Sequence, residues 1–153
     1  MVEAVSEIAL SLPTHENLTV INTVVSDYDG EIEFYISDGD DWVKGISHVA
    51  STNHKGTKLL EMRENQKHVK GKYKLPCVTL DSLIDQHGIQ RIDYLKLDVE
   101  GHETNIIESY SWRIKPTFIK LEHQHIDDIN MKRMLESQGY IVYTEGRDIY
   151  AIQ

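Results

Sequence analysis

Two short runs of this 153-residue chain carry enough polar chemistry to build a site. The first is Asp98-Val99-Glu100-Gly101-His102-Glu103 and the second is Glu122-His123-Gln124-His125. Each follows an apolar, strand-like stretch, and ligands of open α/β sheets bind where parallel strands end. If the two strands are neighbours, Asp98 and Glu122 come within side-chain reach. Such carboxylates could hold a divalent cation, act as a general base or hydrogen-bond a ribose or substrate hydroxyl. Glu103 reads instead as a helix-start residue that complements the positive end of the helix dipole. His102 reads as a surface or substrate-facing side chain rather than a metal ligand. His123 and His125, two apart on an extended segment, should face opposite ways, which disfavours a shared metal. Cys77, beside Pro76, reads as a buried, inert thiol. The other histidines (His15, His48, His54, His68 and His87) show no ligand spacing.

The elements that must position these groups follow from periodicity. Residues 3–12 place Val5, Ile8, Ala9 and Leu12 at helical spacing, and Pro13 ends that helix. Residues 18–25 are β-branched and apolar on both faces, as in a strand buried on two sides. The Asp29-Gly30 turn leads into 31–36, where Ile32, Phe34 and Ile36 alternate with Glu31, Glu33 and Tyr35. From Ser37 to about Lys74 the apolar pattern weakens, and a long excursion with little regular structure is expected. It carries Asp38, Asp40, Asp41, Trp42 and Ser47, polar groups suited to clasping a sugar. Further on, Lys74–Val78 reads as a short strand, and Thr79 or Asp81 caps a helix that ends at Gly88. Tyr94–Val99 is a strand, His102–Ser109 a helix, Thr117–His123 a strand and Asp127–Gln138 an amphipathic helix closed by Gly139. Tyr140–Thr144 and Asp148–Ile152 form a terminal hairpin around Glu145-Gly146. Strand, helix, strand, helix and hairpin give an α/β class with crossover connections.

Composition narrows the function. There are 16 Lys and Arg against 25 Asp and Glu, a net charge of -9, which argues against a nucleic-acid partner. One cysteine excludes an intrachain disulfide and a multi-thiolate zinc site. No apolar run is long enough to span a membrane, and the first residues lack a basic segment of signal-peptide type, so no membrane partner and a cytoplasmic location are expected. Residues 44–74 hold eight basic residues and two acids, a local charge of +6, which reads either as a long solvated loop with ordinary lysines or as a basic flap that draws an anionic acceptor towards a cleft.

Three pieces, VVSDYDGEIEFYI (24–36), VTLDSLIDQHGIQRIDYLKLDVEGHE (78–103) and TFIKLE (117–122), together resemble the FkbM family of S-adenosylmethionine-dependent methyltransferases. The middle piece is the most specific, with its TLDSL helix start and K-x-D-V-E-G-x-E. The likeness covers about Glu3 to Ile152. It implies a single domain over 1–153, with a long basic loop at about 37–74, built on a Rossmann-like, three-layer methyltransferase sheet that ends in a carboxy-terminal β-hairpin. It also implies methyl transfer from S-adenosylmethionine, usually to a hydroxyl oxygen of a carbohydrate or other polar small molecule. The resemblance places Asp98, Glu100 and Glu122 at the catalytic edge; His102, His123 and Ser47 are read beside them as substrate-binding candidates. Glu3, in MVEA, falls where the ribose carboxylate lies, and Asp27 joins it as cofactor-binding. A magnesium ion on Asp98 and Glu122 is a further reading.

The family's opening strand and glycine-rich turn have no counterpart, since no two glycines lie within five residues of each other. The fold is therefore expected to be truncated at its amino terminus, with the first strand missing from the centre of the sheet. Two open strand edges would result. Either the sheet re-pairs around the gap, self-association or a partner chain supplies the strand, or the sequence is a fragment of a longer one; a non-catalytic binding module is the alternative function.

Overall fold

Backbone hydrogen bonding divides the computed structural model, which describes residues 1–37, 47–50 and 69–153, into three sheets and four helices among the described residues. The first half contains β1 (Val2–Glu3), α1 (Ser6–Ser11), β2 (Ile21–Asn22), β3 (Val24–Ser26), β4 (Gly30–Ser37), β5 (His48–Val49) and β6 (Val69–Thr79). The second contains α2 (Leu80–Gln86), β7 (Tyr94–Leu97), α3 (Glu103–Ser109), β8 (Phe118–Glu122), α4 (Asp128–Ser137), β9 (Ile141–Glu145) and β10 (Asp148–Ile152). β1 and β2 form a parallel pair. The order of the second sheet is β3-β6-β4-β5, and that of the third is β7-β8-β10-β9.

The third sheet shows how alternation sorts side chains. Leu97, Ile119, Leu121, Ile149 and Ala151 turn to one face and are nearly inaccessible. There they meet Leu83 and Ile84 of α2, Ile106 and Ile107 of α3, and Met131 and Leu135 of α4. Met131 and Leu135, one helical turn apart, give α4 its single apolar stripe. The opposite face carries a ladder of rings with one from each strand. Tyr94 stacks on Phe118 at 5.3 Å between centroids, Phe118 on Tyr150 at 6.0 Å, and Tyr150 on Tyr143 at 5.0 Å. Tyr94 and Tyr143 stay about half exposed. A helix layer on both faces was expected; among the described residues this sheet has its helices on one face, and the alternate positions of β7 to β10 are polar or aromatic apart from the exposed Ile141 and Ile152. A smaller core of Val5, Val24, Ile32, Phe34, Val49 and Cys77 lies under the second sheet.

Local signals set the helix limits. Thr79 caps α2, its hydroxyl accepting from the Ser82 amide at 3.1 Å, and Asp127 caps α4 by accepting from the Asn130 amide at 3.1 Å. Gly88 and Gly139 follow these two helices with φ of 61° and 92°, a conformation that glycine adopts without a Cβ clash. Three expectations need correction. The strand at 74–78 starts at Val69, because it pairs antiparallel with β4 from Gly30–Cys77 to Ser37–Val69. The strand expected over 18–25 divides into β2, which pairs with β1, and β3, which runs parallel to β6. Finally, β5 and the start of β6 give regular structure to parts of the 37–74 excursion. The rest of that excursion, including Asp38, Asp40, Asp41, Trp42, Lys44, Lys55, Lys58, Arg63 and Lys67, lies outside the described residues.

Candidate functional site

β7 and β8 are parallel neighbours with Leu97 opposite Leu121, so the two polar runs leave the same edge of the sheet. After β7 the chain turns through Glu100 at φ 53° and Gly101 at φ 96°. Only the glycine is at ease there; Glu100 is held in the left-handed region by its surroundings. The turn brings the Glu100 carboxylate to His125, whose Nε2 lies 3.4 Å from Glu100 Oε2, with both side chains 14% exposed. Glu122, the last residue of β8, completes a group in which one ligand-type atom from each of Glu100, Glu122 and His125 lies within 4.8 Å of the others. Glu122 also accepts a hydrogen bond from the Gln124 side chain.

The electrostatics of this corner are those of crowded, dehydrated carboxylates. Burial, followed by the charges of Glu122, Asp98 and Glu103, pushes the Glu100 acid up to about 7. Burial likewise lifts Glu103 to about 7, against the hydrogen bond that its Oε1 accepts from the Val99 amide at 2.9 Å. Glu103 is only 1% exposed, and its Oε2 has no hydrogen-bond partner. Burial lowers His125, with Glu122 acting in the opposite direction.

Asp98, expected beside Glu122, is turned to Lys96, whose Nζ lies 2.9 Å from Asp98 Oδ2. The residue that joins Glu122 is Glu100. His102, expected at the surface or facing substrate, is 2% exposed; it is the residue before α3 and packs beneath the end of β3. Its Nε2 lies 3.0 Å from Ser26 Oγ. The Ser26 hydroxyl donates to Asp27 Oδ1 at 2.9 Å, so its oxygen is left to accept from an Nε2–H tautomer of His102. Burial lowers the His102 pKa, with the Asp27 charge opposing. Burial would raise Asp27, but its hydrogen bonds, the Ser26 hydroxyl foremost, and the His102 charge hold it below its ordinary value.

None of the remaining expected residues belongs to the group of Glu100, Glu122 and His125. Glu3 ends β1 and accepts from the Val5 amide at 2.8 Å through Oε1. Asn22, at the end of β2, donates to the Glu3 carbonyl at 2.8 Å. His123 gives its amide to the Arg147 carbonyl at 2.9 Å, and its Nε2 is buried without a hydrogen-bond partner. Ser47 accepts from the Ser37 amide at 3.1 Å, fastening β4 to the segment entering β5. Lys72, in the basic stretch, is paired with Glu33 at 2.7 Å. Sequence reasoning missed His125 as the partner of Glu100. The available signal was Glu100-Gly101, a dipeptide suited to a left-handed turn, set against a second polar run on the neighbouring strand.

Two carboxylates and an imidazole at a strand-end edge can hydrogen-bond a hydroxyl, take up a proton or ligate a cation. Among the described residues no helix is long and apolar enough to cross a membrane. Compared with known families, residues 1–142 match the methyltransferase FkbM domain. No curated protein and no solved structure matches the chain.

Proposed function

The chain belongs to the FkbM methyltransferase family, and from that premise we propose that it transfers a methyl group from S-adenosylmethionine to a hydroxyl oxygen of a carbohydrate or other polar small molecule. The observation that carries this reading is the convergence of Glu100, Glu122 and His125 where the parallel strands β7 and β8 end. The strand arrangement agrees with it. A parallel pair, β1-β2, and a four-stranded sheet in which β10 enters antiparallel support this reading, which takes them as parts of a Rossmann-like sheet.

The residues fit one half of the cofactor. Glu3 stands at the end of β1 with Oε1 engaged by Val5, leaving its second oxygen for ribose hydroxyls. Asp27, tied to Ser26 and close to His102, positions the loop at the end of β3. The methionine half has no paired-glycine turn in this sequence to receive it. When bound, S-adenosylmethionine supplies the electrophilic methyl group. The chain's own part is to orient the acceptor hydroxyl by hydrogen bonds to Glu100 and Glu122, where proximity supplies much of the acceleration.

Calorimetric titration of the 153-residue chain with S-adenosylhomocysteine tests this reading. Micromolar binding that Glu3→Gln weakens about tenfold, the worth of one charge-assisted hydrogen bond, is the expected result. A folded chain that takes up no S-adenosylhomocysteine overturns it. One observation favours a second reading, that of a binding module completed by another chain. β1 pairs only with β2, and β7 only with β8, among the described residues. Each therefore keeps an edge that can accept a strand in trans. Sedimentation that reports mass growing with concentration supports this alternative, and a monomer at all concentrations removes it.

A further inference from the structure

We propose that Glu100, Glu122 and His125 form a binding site for a first-row divalent cation of the Mn2+ or Zn2+ kind. Three facts converge on it. The donors are of mixed type, two carboxylates and one imidazole, contributed by the turn after β7, the end of β8 and the turn that follows it. Their ligand atoms lie within 4.8 Å of one another. Ligands bonded at about 2.1 Å to one ion lie about 3 Å apart when adjacent and about 4.2 Å when opposite. The 3.4 Å between Glu100 and His125 already falls in that range.

The second fact is charge. The charges acting on Glu100 are those of Glu122, Asp98 and Glu103, all carboxylates. Lys96, two residues before Asp98, is engaged by it, and the Arg147 charge acts on His125. Carboxylates this close in a partly dehydrated corner either take up protons or are joined by a positive charge. The third fact is Glu103, 1% exposed, with an Oε2 that has no hydrogen-bond partner. It is near enough for its charge to act on Glu100, and for that of Glu122 to act on it. A buried carboxyl oxygen left unmatched beside a ligand set is a place where an ion or a water completes the hydrogen bonding. The imidazole sets the preference. Magnesium and calcium favour all-oxygen shells, whereas manganese and zinc accept nitrogen. Three protein donors leave open positions for water or a substrate oxygen.

The inference stands on the side chains of this chain and not on the cofactor reading. Its test contains no S-adenosylmethionine, so the two can fail separately. Mn2+ is added to the metal-free 153-residue chain and free Mn2+ is read by electron paramagnetic resonance. One Mn2+ per chain at micromolar affinity is expected, about tenfold or more tighter than Mg2+ in competition. Glu122→Gln and His125→Ala should each weaken it about tenfold or more, while Glu7→Gln, on exposed α1, leaves it unchanged. On the unaltered protein, Mn2+ should broaden the NMR signals of Gly101, Gln124 and the His125 ring before all others. This keeps the test decisive if a variant loses its fold. Absence of a site tighter than millimolar, broadening elsewhere, or Mn2+ held equally by folded Glu122→Gln and His125→Ala overturns the proposal.

Discussion

Removing one buried oxygen, in Ser26→Ala, tests how the end of β3 holds the loop that carries Glu100. Ser26 is fully buried and accepts from His102 Nε2 at 3.0 Å while donating to Asp27 at 2.9 Å. Without it, the His102 Nε2–H sits 2% exposed with no partner in place, since Asp27 Oδ1 lies 3.7 Å away. A buried donor stripped of its acceptor costs about 1–3 kcal/mol. Asp27 can swing in to recover part of this, so a loss of about 2 kcal/mol is expected. For a chain of this length that is a fall in Tm of about 4–8 °C, or a shift of about 1 M in the urea midpoint. The assay is urea unfolding of the parent, Ser26→Ala, His102→Leu and the double variant. Removing both partners should cost less than the sum of the single losses, with a coupling of about 1 kcal/mol or more. A loss below about 0.5 kcal/mol, or additive single effects, would refute the claim that this hydrogen bond joins the β3 end to the α3 start.

Tyr140 donates to the Pro116 carbonyl at 2.6 Å in a buried setting; Tyr140→Phe should cost about 1–2 kcal/mol in urea unfolding. Asp81 accepts from the Ser111 amide at 2.8 Å and from Arg113 Nε at 3.0 Å, so Asp81→Ala should destabilise by about 1–2 kcal/mol at neutral pH. Burial alone would raise the Asp81 carboxyl, but Ser111 and Arg113 hold it below its ordinary value of 3.8. A depressed folded-state pKa means that this stabilisation is present above 3.8 and lost as pH falls below it, so parent and variant should converge in acid. Leu135 is wholly buried between α4 and the third sheet, and Leu135→Ala should cost about 2–5 kcal/mol, read as a drop in thermal midpoint.

What the sequence made legible is what local pattern decides. The alternation in TFIKLE, the Met131 and Leu135 stripe between Asp127 and Gly139, and the Glu145-Gly146 turn each fix an element within a dozen residues. The VTLDSL and KLDVEGHE strings identified the family from their own residue types. Less legible were features that depend on distant chain. β6 runs through the polar Lys70-Gly71-Lys72 because β4 offers it a ladder more than thirty residues away in sequence. His102 looks like a surface residue in its own neighbourhood, and its burial follows from Ser26, 76 positions earlier. Asp98, just past the end of β7, pairs with Lys96 two residues earlier. The meeting of Glu100 with His125 needs a left-handed residue and a turn after β8, and neither shows in periodicity.

The ring ladder also decides how the last two strands are aligned. Tyr143 lies opposite Tyr150, and the neighbouring pair is Val142 with Ala151. Sliding β9 by one residue would carry Tyr143 into a core sized for Val142 and expose the valine. Both strands would lose their ring contact at once, because Tyr150 stacks on Tyr143 on one side and on Phe118 on the other. The aromatic stripe thus works as a key cut for a single alignment, and the hairpin that ends the sheet inherits its register from side chains on the face the helices leave open.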